Sequence, residues 1–207
     1  MRKLAALAVL VSSLSACGGA GENVTPPNPP TPGPAPQLSA DLCYLMDTTM
    51  GEISLAVDNT HTPVTGNNFA SYVDEQFYDQ TLFHRVINNF MIQGGGFTTG
   101  MVNKPGRAPI VNEANVGFSN LRGTIAMART NVPNSATSQF FINTLNNPQL
   151  DYSASSVGYA VFGQVIAGME VVDQVSITPT AKQGVYSDVP VVDVVINSVT
   201  KISCPAG

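Results

Sequence analysis

A mainly β domain, an antiparallel barrel with helices over its open ends, is what this sequence predicts. Three observations lead there. From about Ser39 onward the chain is rich in Val, Ile, Thr, Phe and Gly, which favour strands and turns over helices. Short apolar runs recur, parted by turn pairs such as Asn88-Asn89. Two stretches carry helical spacing. Many short strands with two helices suit a barrel, because closure removes unpaired strand edges.

The elements follow in order. Residues 44–47 and 52–57 alternate around Thr48-Thr49-Met50-Gly51 and read as a hairpin. A helix is expected from Pro63 to about Glu75, where Val64, Phe69, Tyr72 and Val73 recur at roughly helical spacing and proline suits the first turn. Residues 81–87 and 90–93 read as strands. Residues 98–113 read as a long polar, glycine-rich loop. Further strands are expected at 124–128, 139–143 and 159–165, a short helix at 169–175 with Val171, Val172 and Val175 inward, and a closing strand at 191–202.

The N-terminal segment lies outside this domain. Arg2 and Lys3 form a basic n-region, and residues 4–14 an apolar h-region too short to span a bilayer. Leu14-Ser15-Ala16-Cys17 then resembles a bacterial lipobox; the alternative is an ordinary secretory signal with a chance cysteine. No aspartate follows Cys17 to suggest inner-membrane retention. Residues 22–37 carry seven prolines, at 26, 27, 29, 30, 32, 34 and 36. They block helix and sheet and favour extended polyproline II, at about 3.1 Å per residue. The expected organisation is a lipoprotein signal peptide at 1–16, a lipid-anchored Cys17 with a proline-rich linker at 17–38, and one domain at 39–207. Such a protein would sit in the cell envelope, at the outer membrane and facing the periplasm.

Only 11% of residues are charged and the net charge is −5, so no basic face offers itself to nucleic acid. The three cysteines have no metal-ligand spacing and form no CxxC. With Cys17 lipidated, Cys43 and Cys204 remain, as a disulfide candidate or as two free thiols. No metal, no cofactor and a monomeric state are expected.

The most informative stretch is Phe83-His84-Arg85-Val86-Ile87-Asn88-Asn89-Phe90-Met91-Ile92-Gln93-Gly94-Gly95, followed later by Ser138-Gln139-Phe140-Phe141-Ile142-Asn143. Together they suggest an apolar pocket with a few fixed hydrogen-bond donors and no nucleophile, which suits a reaction whose only event is rotation about a bond. His84 reads as a buried structural histidine, facing away from Arg85 because neighbours on a strand alternate. His61, just before a helix, reads as solvated. Gly94-Gly95-Gly96 lacks the lysine and Ser/Thr of a phosphate loop and reads as a close-packed strand end. Ser138 has no G-x-S-x-G context, which argues against a hydrolase.

These blocks, with Gly123-Thr124-Ile125-Ala126-Met127-Ala128 and Gly158-Tyr159-Ala160-Val161-Phe162-Gly163, resemble the cyclophilins, peptidyl-prolyl cis-trans isomerases, in the family's order and nearly its spacing. The resemblance runs from about Tyr44 to Ile202 and is closest to the bacterial periplasmic branch. It implies a closed eight-stranded antiparallel barrel capped by two helices. It implies catalysis by Arg85, with Gln93 holding the arginine and the substrate carbonyl. Phe90, Met91, Phe141 and Leu150 match the walls of the proline pocket. Ala128 and Gln139 match substrate-contacting positions. Arg129 stands where many relatives have an asparagine, and Tyr159 where eukaryotic members have a histidine. Gln149 replaces an aromatic residue, which implies weak cyclosporin binding. The family's neighbouring first and last strands would bring Cys43 near Cys204. The implied function is isomerisation of X-Pro bonds in exported client proteins; a proline-gripping chaperone with incidental turnover is the alternative.

Overall fold

The computed structural model describes residues 37–205. The expected signal peptide (1–16), Cys17 and nearly all of the linker (17–38) therefore lie outside the described residues. Eleven strands and two α-helices follow in the order β1 (Leu42–Thr48), β2 (Gly51–Val57), α1 (Pro63–Asp74), β3 (Thr81–Ile87), β4 (Met91–Thr98), β5 (Val102–Asn103), β6 (Thr124–Met127), β7 (Phe140–Asn143), β8 (Val161–Ala167), α2 (Met169–Ser176), β9 (Thr180–Gln183), β10 (Tyr186–Pro190) and β11 (Val195–Ile202).

Eight of the strands form a closed antiparallel barrel in the order β3, β11, β1, β2, β8, β6, β7, β4, with β4 pairing back onto β3. The two-residue β5 extends the ring beside β4, and β9 and β10 form a separate hairpin. Strand alternation divides the barrel's side chains into two sets. Ile92, Ile125, Met127, Phe140, Ile142 and Phe162 point into one core, which also takes Phe69, Tyr72 and Val73 of α1 and Val172 and Val175 of α2. Their neighbours Met91, Ala126, Phe141 and Val161 form a second apolar cluster on the other face of the same strands. Helix α1 begins at Pro63, and Thr62 gives it no side-chain cap. The Glu113 carboxylate serves instead, accepting from the Val64 and Thr65 backbone N–H groups at 3.1 and 2.8 Å. Val64 itself is exposed.

The structure departs from the sequence reading in several elements. Strand β4 runs on to Thr98, so Gly94-Gly95-Gly96 lies inside a strand and not at its end. Glycine carries no strand propensity, and here it answers a packing demand. Gly95 has φ +80°, and a Cβ there would strike Phe140 and Tyr78. The loop over 98–113 contains β5. The closing strand begins only at Val195; Val191 and Val192 are 63% and 78% exposed. The β9–β10 hairpin before it is mostly polar and exposed, so no alternation announces it.

Cys43 pairs in register with Ile202 across β1 and β11. That brings Cys204 to a Cα–Cα distance of 5.1 Å from Cys43, and the two form a disulfide. Cys43 is fully buried. The bond ties the two ends of the domain together across a sequence separation of 161 residues. In the chain-entropy view a loop of that size stabilises by about 5 kcal/mol. Reduction should lower the melting temperature by about 10 °C or more. A Cys43→Ser, Cys204→Ser double variant should melt equally early and no longer respond to reductant.

Candidate active site

Five strands build the site on the barrel's outer face through one cross-strand row. Arg85 of β3 lies opposite Gln93 of β4, Gln93 opposite Phe141 of β7, Phe141 opposite Ala126 of β6, and Ala126 opposite Val161 of β8. Residues directly opposite on adjacent strands sit on the same face of the sheet. The row thus sets a cation, an amide and an aromatic ring side by side.

A β-bulge makes the row possible. Phe83 pairs with Gly94, yet Arg85 pairs with Gln93, so one extra residue is inserted into β3 between them. Without it Arg85 would oppose Ile92, which points into the core. The bulge also overturns the expectation that His84 faces away from Arg85. Alternation fails across an inserted residue, and both side chains line one cavity beside the row. His84 is nonetheless buried, as expected, against Phe97 at a centroid distance of 4.6 Å.

A cavity of about 270 Å³ opens at the row. Arg85, Phe90, Met91, Gln93, Ala128, Arg129, Phe141, Leu150 and Tyr159 line it, nine of the ten residues predicted for catalysis and substrate contact. Gln139 stands one step back, its Oε1 accepting from Gln93 Nε2 at 2.9 Å. A Cβ at Gly96 would collide with the Gln139 side chain, so Gly96 makes room for this bond. Phe141 forms the floor and meets Tyr159 edge to face at 5.6 Å. The Arg129 guanidinium lies 4.3 Å from the Tyr159 ring centroid and donates to the Gly158 carbonyl at 3.0 Å. Leu150 enters from a single 3-10 turn, Pro148–Leu150.

Arg85 is 42% exposed, and its one ion-pair contact among the described residues is Asp188 Oδ2 at 3.9 Å. Asp188 belongs to the β9–β10 hairpin and was not anticipated, since nothing local to that polar stretch signals an approach to Arg85. Gln149 is exposed and donates to Asn147 Oδ1 at 3.1 Å, outside the cavity lining. His61 is partly paired and not simply solvated, with Nδ1 2.8 Å from the buried Asp58 carboxylate. Burial opposes ionisation of Asp58, but hydrogen bonds from the His61 and Ser39 backbones outweigh it and hold its pKa below the usual range.

Chemically, the cavity offers an apolar slot for a compact ring, a cation at its edge, and an amide locked by a second amide. The sequence profile described as "Cyclophilin type peptidyl-prolyl cis-trans isomerase/CLD" matches residues 43–201. A peptidyl-prolyl cis-trans isomerase of Acinetobacter baylyi is 53% identical over 154 residues, covering 74% of this chain and 82% of its own. Peptidyl-prolyl cis-trans isomerase B of Escherichia coli is 51% identical over 156 residues, covering 74% and 95%. Among solved structures, a cyclophilin-type isomerase of Cryptosporidium parvum determined in the presence of the dipeptide Ala-Pro superposes with a TM-score of 0.61 at 26% identity, covering 78% of this chain and 99% of that one.

His84 generates a prediction about pH. Burial lowers its pKa from 6.5 to about 4, so the folded domain holds a neutral imidazole. An unfolded chain binds a proton there between those two values and the folded one does not. Stability is therefore full above about pH 6.5 and declines as pH falls toward 4, by up to roughly 3 kcal/mol. Denaturant titrations of the unmodified protein and of His84→Gln should show the variant losing this part of the slope.

Proposed function

The chain belongs to the cyclophilin-type peptidyl-prolyl cis-trans isomerase family, and from that premise we propose that it turns over X-Pro bonds of exported proteins while tethered to the cell envelope, with Arg85 and Gln93 as its catalytic pair. The isomerase activity is that of the family. The assignment of residues is carried by the row Arg85, Gln93, Phe141.

Amide resonance makes rotation cost about 18–20 kcal/mol, and uncatalysed X-Pro exchange takes tens to hundreds of seconds. As the amide twists, its nitrogen becomes pyramidal and gains a lone pair. The proline ring docks between Phe90, Met91, Phe141 and Leu150, which hold it while the preceding residue turns. The Arg85 guanidinium then meets the developing lone pair more favourably than the planar amide, and this difference lowers the barrier. Gln93, held by Gln139, keeps its amide toward the substrate carbonyl. Each tenfold in rate needs about 1.36 kcal/mol. No covalent intermediate is formed.

The tether rests on Leu14-Ser15-Ala16-Cys17 behind an h-region, with the proline-rich stretch spacing the domain from the membrane. The Cys43–Cys204 bond supports an oxidising compartment. The absence of aspartate after Cys17 supports the outer membrane.

Arg85→Ala should lower kcat/KM for a proline peptide by about 10²-fold or more, chiefly through kcat, with Arg85→Lys between. Lysine keeps the charge and loses the planar fork. Phe141→Ala should instead raise KM and cost about 3–5 kcal/mol of stability. Circular dichroism checks that the Arg85 variants are folded. Activity of Arg85→Ala within a few-fold of the unmodified protein would move the reading to a proline-binding chaperone. Mass spectrometry of membrane-extracted protein should find a diacylglycerol thioether on a mature N-terminal Cys17; cleavage elsewhere would sink the tether.

A further inference from the structure

A second cavity, of about 410 Å³, adjoins the first across the Arg85–Gln93 rung, which lines both. Its walls are Phe97 of β4 and Val185 and Tyr186 of the β9–β10 hairpin, and its rim carries the Asp188 carboxylate. Tyr186 meets Phe97 edge to face at 5.1 Å, and Val189 is buried beneath the hairpin, so the wall is anchored. Because the two cavities share this rung, a client whose proline fills the first has a neighbouring residue within reach of the second.

We propose that this flanking cavity is a specificity subsite that favours a lysine or arginine next to the client's proline. The inference rests on the prolyl isomerase reading of the adjoining pocket. An aliphatic stem lies along Tyr186 and Phe97, and its cationic head reaches Asp188. Arg85 and Asp188 are the charged residues of this cavity's wall at neutral pH. Their separation of 3.9 Å is too long for a hydrogen bond, and both are about two-fifths exposed, so opening the pair costs little. Once a client is bound, Arg85 addresses the prolyl amide, which leaves Asp188 to a neighbouring side chain. An acidic residue there would meet Asp188 and compete for Arg85.

The test uses the full-length protein in detergent and proline peptides bearing Lys or Glu at each of the two positions on either side of proline. At one position kcat/KM for Lys should exceed that for Glu by about three- to fivefold, the scale of a partly exposed ion pair. The ratio should shrink as salt rises. Asp188→Asn should bring it close to one. Asparagine tolerates the left-handed φ of +60° that Asp188 adopts, so the change removes charge without backbone strain. A ratio near one at every position in the unmodified protein, or a lysine preference that survives in Asp188→Asn or is indifferent to salt, overturns the subsite and leaves the isomerase standing. No turnover of any peptide defeats the isomerase reading, and the subsite with it.

Discussion

Closure of the barrel through the β3–β4 pairing is the constraint on which the site depends. Each strand of the ring is hydrogen-bonded on both sides, so no strand can slide without breaking two ladders. Within that fixed frame the bulge at His84 decides which face Arg85 takes. Had β3 been regular, the guanidinium would have been driven at the core and the outer face would have lacked its cation.

The same strands build both the stability of the domain and its chemistry. Phe140 and Phe141 are sequence neighbours with opposite duties, one inside the barrel and the other flooring the cavity. Ile92 and Gln93, and Ile125 and Ala126, divide in the same way. This arrangement sets the pocket on backbone that core packing already holds rigid, and a site that must favour a twisted amide over a planar one needs that rigidity. Glycine supports it from behind, since Gly95 and Gly96 leave space for Phe140 and Gln139.

Electrostatics are sparse, which makes each charged group count. Gln93 is fixed by a neutral partner, Gln139, so Arg85 is not neutralised within the cavity it serves. Its acidic neighbour comes from the β9–β10 hairpin, which is packed beside the barrel without belonging to it. Variation in such a hairpin can alter what surrounds the arginine while the barrel stays the same.

By itself the sequence determined most of the strand and helix periods, and its motif blocks, through their resemblance to the cyclophilins, supplied the set of side chains that line the cavity. The periods were legible because alternation and helical spacing are local properties of the chain, and the cavity residues because the motif blocks that carry the resemblance are dense. Three things only the tertiary structure decided. The Gly94-Gly95-Gly96 run extends a strand, because its glycines answer to Tyr78, Phe140 and Gln139, which are distant in sequence. His84 shares a face with Arg85, because the bulge follows from how β3 must pair with β4. Asp188 meets Arg85 across about a hundred residues of chain, because closing the barrel brings β10 beside β3. In the first and third cases a residue's position is fixed by partners distant in sequence, and in the second by a bulge against the very next strand; a local pattern of alternation carries no record of either.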